Sequence, residues 1–368
     1  MKYDVVIVGA GPAGMAAAHI LINNNVSCCV VDKQIFPRNK LCAGGVTGKA
    51  LDLLEKLDIN MSFRGKNTVV SSGARLYVEY NHIIDINTER KTHLVDRFEF
   101  DDYLVSSYKS KGGAMIEGAK VNYIREKQNK LLLSDNSIIE FKYIIGADGA
   151  VGMTSALVDK EFKSNGFSLQ VDIEKDKINY ESDQMALFYG VIPYGYGWIF
   201  PKESYVTIGI GSDYNKKIDY KREFEIFLEK LGIDHTKEKF RGAFLPFGDY
   251  IKYPINKEKN IVLVGDAAGF ADPITGEGIY FALLSGIKAG ETITKAINYN
   301  DRDILKIYID EIKPITSNIN KGKKIKKSLY KYRKIAFVPF KNEKVANLLF
   351  NKCMYESNYN LNLQKLFK

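Results

Sequence analysis

A G-x-G-x-x-G turn near the N-terminus constrains the fold of this 368-residue chain more than any other feature. Residues 3–8, before the turn, form a continuous apolar run, as buried parallel strands do. An alanine-rich segment of helical character follows the turn, and a second apolar run over residues 26–31 ends at Asp32. This order of strand, turn, helix, strand and acid predicts a Rossmann-type unit that binds a dinucleotide.

Each part of the unit has a physical purpose. Gly9 makes the tight turn, Gly11 lets backbone N–H groups approach a pyrophosphate, and Gly14 allows the helix to pack closely on the strand. The helix N-terminus offers partial positive charge to the phosphates, and Asp32 is placed to accept a hydrogen bond from a ribose hydroxyl. The motif by itself does not separate FAD from NAD. We predict cofactor contacts from Gly9, Gly11, Pro12, Ala13, Gly14, Asp32 and Lys33.

A later strand-and-turn segment helps to decide which dinucleotide is bound. Residues 261–264 form an apolar strand, a Gly-Asp pair follows it, and a D-P-x-x-G-x-G pattern over residues 272–278 precedes a helix. An acid directly after a strand suits a sugar hydroxyl, and glycines allow close approach of the backbone. Backbone amides and the helix dipole can stabilise negative charge on a bound ring. The predicted contacts are Gly265, Asp266, Pro273, Gly276, Gly278 and Ile279.

With this segment the sequence resembles FAD-dependent enzymes of the p-hydroxybenzoate hydroxylase-like fold. The resemblance implies that Asp266 binds the ribityl chain of FAD and that the backbone around Pro273 and Gly276 meets the flavin ring. A strand and turn ending at Asp148, and Arg97 at the start of a helix, also match segments that lie near the cofactor in that family. The chain departs from the family after Asp148, because the Arg that usually follows this turn is missing.

Two further segments resemble geranylgeranyl reductases and their relatives. Residues 36–45 are similar to the P-R-x-K-x-C-G-G-G loop of that family, with Ala43 in place of the first glycine. Residues 196–201 are similar to its Y-x-W-x-F-P segment and contain the only Trp of the chain. The resemblance implies an FAD-dependent oxidoreductase that saturates C=C bonds of an isoprenoid (geranylgeranyl-type) lipid. We predict Arg38, Cys42, Ala43 and Gly44 at the cofactor, and Gly45, Tyr196, Trp198 and Phe200 at the substrate.

The aromatic residues of the second segment allow two interpretations. Tyr196, Trp198 and Phe200 alternate at strand spacing, so they share one face of a strand. An aromatic wall on a sheet suits a long isoprenoid chain. The alternative is that this face is simply the core of a sheet.

The loop around Cys42 also leaves alternatives open. A free thiol is mostly protonated at neutral pH, so Cys42 could act as a catalytic residue that donates a proton or positions the alkene. It could equally be a small buried apolar side chain. The charges of Arg38 and Lys40 suit a diphosphate or phospholipid head group, the phosphates of FAD, or a solvated loop.

The functional hypothesis is hydride transfer from N5 of reduced FAD to one alkene carbon, with a proton from Cys42, a tyrosine or water. NAD(P)H or another reductant would recharge the flavin, although the sequence shows no separate NAD(P)H domain. The first alternative is a flavin-dependent monooxygenase that acts on an aromatic or polyketide substrate. The second is a non-catalytic flavoprotein that binds lipid without turnover.

The predicted fold class is α/β plus antiparallel β-sheet. A Rossmann-type FAD-binding domain is assembled from residues 1–61, 93–150 and 256–299. A substrate-binding sheet domain from residues 62–92 and 151–255 is interleaved with it, because these stretches contain short β-branched or aromatic strands separated by turn residues. Residues 300–368 form basic C-terminal helices.

The charge of the chain is concentrated in this C-terminal segment. The net charge is +9, yet residues 301–368 contain 16 Lys and Arg against 6 Asp and Glu, so the preceding residues are close to neutral. Eight basic residues lie between positions 321 and 334. They predict a helix on an anionic membrane surface, a phosphate-facing lid or a solvated helix face. Nucleic acid is disfavoured, because no recognition motif accompanies the charge.

The remaining composition indicates the compartment. Four cysteines without framework or C-x-x-C spacing favour a reducing cytoplasm and no metal site. The N-terminal apolar run is interrupted by glycines and Pro12, unlike a signal peptide, and no apolar stretch reaches the roughly 18 residues of a membrane span. We expect a cytoplasmic protein that is either soluble or peripheral to the membrane, and the sequence leaves its oligomeric state open.

Overall fold

The structure is a computed structural model that describes residues 1–60, 65–125, 128–178, 180–354 and 359. The described residues form three sheets surrounded by helices, and this α/β architecture with a large, mainly antiparallel sheet confirms the predicted fold class. The strands, in chain order, are β1 (Val5–Val8), β2 (Cys28–Val31), β3 (Gly45–Val46), β4 (Val69–Val78), β5 (Asn81–Leu94), β6 (Ala114–Ile116), β7 (Val121–Arg125), β8 (Lys130–Leu133), β9 (Ile138–Glu140), β10 (Tyr143–Gly146), β11 (Gly166–Glu174), β12 (Met185–Tyr189), β13 (Gly195–Pro201), β14 (Tyr205–Asp213), β15 (Arg241–Leu245), β16 (Ile255–Asn256) and β17 (Ile261–Leu263).

The helices lie on both sides of these sheets, and the last four follow one another in the C-terminal segment. In chain order they are α1 (Pro12–Asn23), α2 (Gly48–Glu55), α3 (Arg97–Ser110), α4 (Tyr220–Lys230), α5 (Ile279–Asn298), α6 (Leu305–Glu311), α7 (Lys313–Lys331), α8 (Arg333–Ala336) and α9 (Glu343–Met354).

The first sheet has six strands in the order β16-β17-β10-β1-β2-β6. All its pairs are parallel except β16 with β17. Strands β1, β2, β10 and β17 are buried along their whole length, as expected for apolar strands that are covered by helices on both faces. The carboxyl ends of β1 and β2 therefore open onto one edge of the sheet, where the glycine-rich turn and Asp32 lie.

Helices α1 and α5 pack against each other on this sheet. Their backbones approach closely at Gly286, where a Cβ atom would lie 2.2 Å from the carbonyl oxygen of Ala13. A Cβ at Gly290 would lie 2.8 Å from the Ile20 side chain. Small residues at these two positions of α5 thus allow α1 to lie directly against the middle of α5, with the two helices running in the same direction.

The second sheet has eight strands in the order β15-β11-β14-β13-β12-β4-β5-β3. Its pairs are antiparallel except β12 with β4. One face packs on α4 through Phe224 and Phe227. The opposite face carries Trp198 and is covered by Ala346 and Phe350 of α9. A small sheet of β7, β8 and β9 completes the fold. The domain ranges predicted from the sequence stay a prediction.

The basic C-terminal segment is helical and is anchored on one side. Ile315 and Ile319 of α7 are buried in the core of the first sheet. The buried Lys326 pairs with Asp213 at 2.6 Å, and its Nζ lies 3.6 Å from the centroid of the Phe247 ring. Among the residues that the structure describes, no helix is long and apolar enough to cross a membrane.

Substitution of Gly286 by Ala tests the close packing of α1 on α5. The added methyl group would meet a backbone carbonyl that cannot move without shifting α1, so we expect a loss of about 1–3 kcal/mol in the free energy of unfolding. Urea unfolding of the FAD-loaded protein measures this loss. Glu291→Ala on the exposed side of the same helix is the control and should change stability by less than about 0.5 kcal/mol. Equal stability of the two variants would contradict the packing described above.

Candidate functional site

The glycine-rich turn joins β1 to α1, and its three glycines have different surroundings. Gly9 has a φ of +105°, and its Cβ would lie 2.4 Å from the Ala147 carbonyl oxygen. A Cβ at Gly14 would lie 1.9 Å from the Gly9 carbonyl oxygen. Gly11 is different, because a Cβ there would have only the Arg38 Nη2 within 4 Å, at 3.9 Å. Gly9 and Gly14 therefore serve the packing of the turn, whereas Gly11 faces open space at the N-terminus of α1.

Helix α1 begins without a side chain that caps its N-terminal N–H groups. Gly11 is the N-cap residue and Pro12 is the first residue of the helix, so Ala13 and Gly14 lie in its first turn. Uncapped N–H groups and the helix dipole together favour an anion at this end. The predicted pyrophosphate fits this position.

Asp32 lies directly after β2 and is held beside the turn. Its Oδ2 accepts a hydrogen bond from the Ala10 N–H at 2.8 Å, and its Oδ1 accepts one from the Gln34 N–H at 2.8 Å. The carboxylate is fixed by backbone donors and retains lone pairs for a sugar hydroxyl. Lys33 next to it is exposed, and its predicted cofactor contact stays a prediction.

Two arginines share one buried carboxylate near Gly11. Arg97, the first residue of α3, donates to both oxygens of Asp101 at 2.7 Å, and Nη2 of Arg38 lies 3.1 Å from Asp101 Oδ2. Asp101 is fully buried, and the Arg38 Nη1 is buried without a hydrogen-bond partner among the described residues. Two guanidinium groups against one carboxylate leave a surplus positive charge that suits a phosphate. Asp101 was not among the predicted site residues, although its spacing of four residues from Arg97 on a helix is a usable signal.

The later segment forms a second open position beside the first. A Cβ at Gly278 would have only the Asp266 Oδ1 within 4 Å, at 3.6 Å, and Gly278 is the N-cap residue of α5, which begins at Ile279. No hydrogen bond or ion pair to the Asp266 carboxylate occurs in the described part of the chain. The preceding Gly265 donates its N–H to Ser285 Oγ at 2.9 Å. FAD requires glycines with free space around them, positive charge for its phosphates and carboxylates for its hydroxyl groups. Gly11 and Gly278, the Arg38 guanidinium, and the Asp32 and Asp266 carboxylates provide these features, so the residues present fit this cofactor.

The loop between Asp272 and Gly278 is stabilised by residues that the sequence analysis did not select. Asp272 accepts hydrogen bonds from the backbone of Ile274 and Thr275, and from the side chain of Asn318 on α7. Pro273, a predicted cofactor contact, also packs towards α7, where a Cβ at Gly322 would lie 2.7 Å from its ring. The C-terminal helix thus supports the loop from behind.

A buried ion pair fixes the far end of the same loop. Glu277 accepts a hydrogen bond from Thr47 Oγ1 at 2.6 Å and pairs with Lys49 Nζ at 2.5 Å. Burial raises the pKa of Glu277, while the neighbouring Lys49 opposes this rise. Lys49 lies more than 200 positions earlier in the chain, so no sequence pattern could have paired the two residues.

Asp148 holds its own loop together. Its Oδ2 accepts hydrogen bonds from the N–H groups of Met153 and Thr154 at 2.7 and 3.0 Å, and its Oδ1 accepts one from the Thr154 hydroxyl. Burial raises its pKa. The structure thus provides a structural purpose for this acid, and its predicted contact with the cofactor stays a prediction.

The loop that contains Cys42 lies between the two sheets. Cys42 is half-buried, and its Sγ accepts a hydrogen bond from the Gly44 N–H at 3.4 Å. Gly44 has a φ of +78°, and its Cβ would lie 2.0 Å from the Val95 carbonyl oxygen. A Cβ at Gly45 would lie 3.2 Å from the Phe200 ring. Ala43 stands where the family has its first glycine. Its carbonyl accepts a hydrogen bond from the side chain of Lys202, the residue that follows β13.

The aromatic residues of β13 lie on one face of the strand, as predicted. The Tyr196 hydroxyl donates to the Thr275 carbonyl at 2.6 Å, so this ring touches the predicted flavin loop, and a Cβ at Gly276 would lie 2.4 Å from its oxygen. Trp198 belongs to the apolar cluster beneath α9, and its Nε1 is buried without an acceptor among the described residues. Phe200 packs on the edge of that cluster. Tyr196 therefore meets the site directly, whereas Trp198 is in large part sheet core.

A glycine on the neighbouring strand makes room for Trp198 and was missed from the sequence. A Cβ at Gly209 would lie 2.3 Å from the Trp198 ring. Gly209 pairs with Trp198 across β13 and β14. A glycine opposite a large aromatic residue in adjacent strands is a signal that could have indicated this contact.

A polar cavity of about 630 Å³ opens beside the Cys42 loop. Its walls come from this loop, from the start of α3, from β11 and the turn after it, from the turn between β13 and β14, and from β14 and β15. It contains Cys42, Arg97 and the buried Lys202. The cavity connects the predicted catalytic thiol with solvent.

Comparisons with known proteins agree with this geometry. The model of a family described as FAD binding domain matches residues 2–322. An uncharacterized protein of Methanosarcina barkeri is 36% identical over 305 residues, which cover 80% of this chain and 76% of that protein. The digeranylgeranylglycerophospholipid reductase of Methanocaldococcus jannaschii is 28% identical over 314 residues, which cover 81% of this chain and 78% of the relative.

Solved structures share the fold. A geranylgeranyl bacteriochlorophyll reductase-like protein from Thermoplasma acidophilum matches with a TM-score of 0.77 at 22% identity, over 100% of this chain and 98% of its own. A probable FAD-dependent monooxygenase from Pseudomonas aeruginosa matches with a TM-score of 0.72 at 14% identity, over 91% of this chain and 99% of its own. At these identities the two structures establish the fold and no finer property.

Substitution of Arg38 by Met tests the surplus charge beside Gly11. Loss of a charge-assisted contact to phosphate should weaken FAD binding roughly 10- to 100-fold. Titration of the FAD-free protein with FAD, followed by flavin fluorescence, gives the dissociation constant. Arg222→Met on the exposed side of α4 is the matched control and should bind FAD like the unchanged protein. Equal affinity of the Arg38 variant and the control would exclude Arg38 from the cofactor site.

Proposed function

We propose that this chain, which belongs to the FAD-binding domain family, reduces C=C bonds of an isoprenoid lipid. The chain is an FAD-dependent oxidoreductase similar to geranylgeranyl reductases. One observation carries the proposal beyond that class. The aromatic face of β13 meets the predicted flavin loop, since Tyr196 contacts Thr275, and it meets Gly45, a predicted substrate contact next to the Cys42 loop, through Phe200.

When bound and reduced, FAD supplies a hydride from its N5. The chain's own residues perform the other tasks. The turn at Gly11 with Arg38 would bind the phosphates, and Asp32 and Asp266 would bind the sugar and ribityl hydroxyls. The N-terminus of α5 would lie at the ring, where uncapped N–H groups favour negative charge.

The proposed substrate surface lies on the second sheet. Tyr196 and Phe200 are partly buried and border the core cluster of Trp198, Leu76 and Leu187, so these two rings are the part of the aromatic face that a lipid can meet. Such a surface binds a hydrocarbon chain by burial of apolar area and excludes water from the reacting carbons. The name of the relative from M. jannaschii, a digeranylgeranylglycerophospholipid reductase, supports an isoprenoid lipid as the substrate class.

A proton must reach the second alkene carbon. Cys42 is the proposed donor, because its thiol lies in the loop next to the aromatic face and opens onto the polar cavity. General-acid catalysis by a positioned side chain contributes about 10²–10⁴-fold to such reactions. NAD(P)H or another reductant is proposed to recharge the flavin.

The reaction is tested with FAD-loaded protein under anaerobic conditions, with dithionite as reductant and a geranylgeranyl lipid as substrate. Each reduced C=C bond adds two hydrogens, so mass spectrometry should show a gain of about 2 mass units per bond. Protein of the Arg38→Met variant, stripped of FAD, is the control and should leave the lipid unchanged. Oxygen uptake coupled to a gain of about 16 mass units would instead indicate a monooxygenase. A lipid that binds but never reacts would indicate a binding protein.

We also propose that the basic C-terminal segment contacts an anionic membrane surface. Lys323 and Lys326 are paired with Asp249 and Asp213, so they contribute to the fold. The side chains of Arg333 and Lys334 and residues 355–358 and 360–368 lie outside the described residues. In the rest of the segment, three exposed lysines are followed by exposed apolar side chains, and another exposed ring lies nearby, namely Lys324, Lys327, Lys331, Tyr332, Ile335, Val338 and Tyr194.

Replacing Lys324, Lys327 and Lys331 by Gln tests this contact. Each basic residue near an anionic lipid surface contributes about 1 kcal/mol, so the triple variant should bind phosphatidylglycerol vesicles roughly 100-fold more weakly. Vesicle sedimentation measures the binding, and FAD content should not change. The control replaces the exposed Lys216, Lys217 and Lys221 by Gln. If both triple variants bind the vesicles equally well, the charge of the segment serves only solvation.

A further inference from the structure

We infer that Lys202 is the proton reservoir that restores the Cys42 thiol after Cys42 has protonated the substrate. This role rests on the proposed function for the identity of the proton acceptor, which is the alkene of the lipid. The interaction of Lys202 with Cys42 itself does not depend on the substrate.

Lys202 occupies an unusual position for a lysine. It follows β13 directly, its side chain is only 1% exposed, and its Nζ donates to the carbonyl of Ala43 at 2.6 Å. Within the described part of the chain, no carboxylate forms an ion pair with it. A buried ammonium without a counter-ion is costly, so its retention in a cavity wall suggests a task beyond stability.

The position of Lys202 brings its charge to the Cys42 loop. The carbonyl that it contacts belongs to the residue directly after Cys42, and both side chains line the same cavity. The cavity volume of about 630 Å³ is large enough for many water molecules, since one water occupies about 30 Å³ in the liquid. Protons can therefore reach Lys202 from solvent.

The other proton carriers of this region are occupied. The Tyr196 hydroxyl donates to Thr275, and the Tyr205 hydroxyl donates to Asp96 Oδ2 at 3.0 Å. Burial raises the pKa of both tyrosines, so neither releases a proton readily near neutral pH. Tyrosine, one of the sources left open by the sequence, is thereby disfavoured.

The charged groups around Lys202 come from every element that lines the cavity. They are Lys40 and Cys42 on the loop, Asp96 and Arg97 at the start of α3, Asp172 and Glu174 on β11, Asp176 just after β11, and Arg241 on β15. Asp172 accepts from Thr207 and pairs with Arg241, and Arg97 pairs with Asp101. The guanidinium groups keep their protons, so Lys202 is the buried base of this wall that can exchange one.

The titration range of Lys202 is compatible with this task. Burial lowers the pKa of Lys202 to about 8, and the charges of Cys42, Asp172 and Asp96 limit this fall. A proton carrier works best when its pKa lies near the working pH. Lys202 is thus protonated at neutral pH and still able to release its proton.

One proton passes from Cys42 to the substrate, and further transfers then restore Cys42 and Lys202. The S–H bond of Cys42 breaks and a C–H bond forms at one alkene carbon, while the other carbon receives the hydride of the reduced cofactor. The negative sulfur then takes a proton from Nζ of Lys202, which becomes a neutral amine. The amine recovers its proton from water in the cavity, so both side chains return to their starting state.

The first test needs no turnover. Alkylation of Cys42 by iodoacetamide in the oxidised, FAD-loaded protein at pH 7 is followed by peptide mass spectrometry, which separates Cys42 from the other cysteines. Lys202→Met removes the buried positive charge that is bonded to the residue next to Cys42, so it should slow alkylation about tenfold. Lys202→Arg keeps the charge and should stay within about threefold, and Lys221→Met on α4 is the control without effect. Equal rates in the Met variant and the control would overturn the inference.

The second test follows repeated turnover of the lipid by FAD-loaded protein with excess dithionite, because Cys42 must be protonated again before each new turnover. Both Lys202→Met and Lys202→Arg should lower the rate at least tenfold at unchanged FAD content, because a guanidinium does not release its proton. The rate of the unchanged protein should fall as the pH rises through about 8, and both variants should lose this step. In Cys42→Ala protein the Lys202 substitutions should have no further effect.

The outcomes separate the two proposals. Restoration of the full rate by Lys202→Arg would show that Lys202 supplies charge and not protons, which contradicts the inference. An unchanged protein that reduces no isoprenoid lipid would contradict the proposed function, and the alkylation rates would still decide whether Lys202 acts on Cys42.

Discussion

The close packing of α1 on α5 is the constraint on which the site depends. At Gly286 the two helices approach until a single methyl group would meet a backbone carbonyl. The start of α1 lies against the middle of α5 and the two helices run in the same direction, so the N-terminus of α5 extends roughly 10 Å beyond that of α1. Each helix has an N-cap glycine, Gly11 or Gly278, whose surroundings are open except for one charged side chain. A dinucleotide cofactor with a pyrophosphate at one end and a redox ring at the other matches this pair of positions. The rest of the site is built around it.

The second sheet contributes an aromatic surface and a buried ammonium group to the site. Its aromatic face reaches the cofactor loops through Tyr196 and Phe200, and the residue that follows β13 reaches the Cys42 loop through its ammonium group. One strand thus carries an apolar surface that ends in a buried positive charge. The C-terminal helices close the arrangement from outside, since α7 supports the loop at Asp272 and α9 covers Trp198.

Local chemistry explains what could be predicted from the sequence. The glycine turn, Asp32 and the helix start at Arg97 each depend on residues within one supersecondary unit, where spacing determines position. The family-like loops at Cys42 and Gly276 were recognisable for the same reason. Burial of Lys326 was not predictable, because a basic run on a helix looks solvated until its partner, Asp213, is placed by another element.

The unpredicted part of the site consists of contacts between distant segments. Lys49 with Glu277 and Lys202 with Ala43 join residues that are separated by more than 150 positions. Such pairs depend on the relative placement of the two sheets, which no local periodicity encodes. The positive charge of the C-terminal segment was likewise only partly interpretable from the sequence. Part of this charge stabilises the fold, and only the exposed remainder is available to a membrane.

The proposed reaction requires that an isoprenoid alkene accept electrons directly from a flavin bound at the N-terminus of α5. The most direct measurement is the visible absorbance of the flavin after anaerobic, reduced protein is mixed with a geranylgeranyl lipid. The account predicts that the absorbance of oxidised flavin returns without oxygen, in proportion to the lipid consumed. A flavin that stays reduced with the lipid, and is oxidised only when oxygen is admitted, would contradict it.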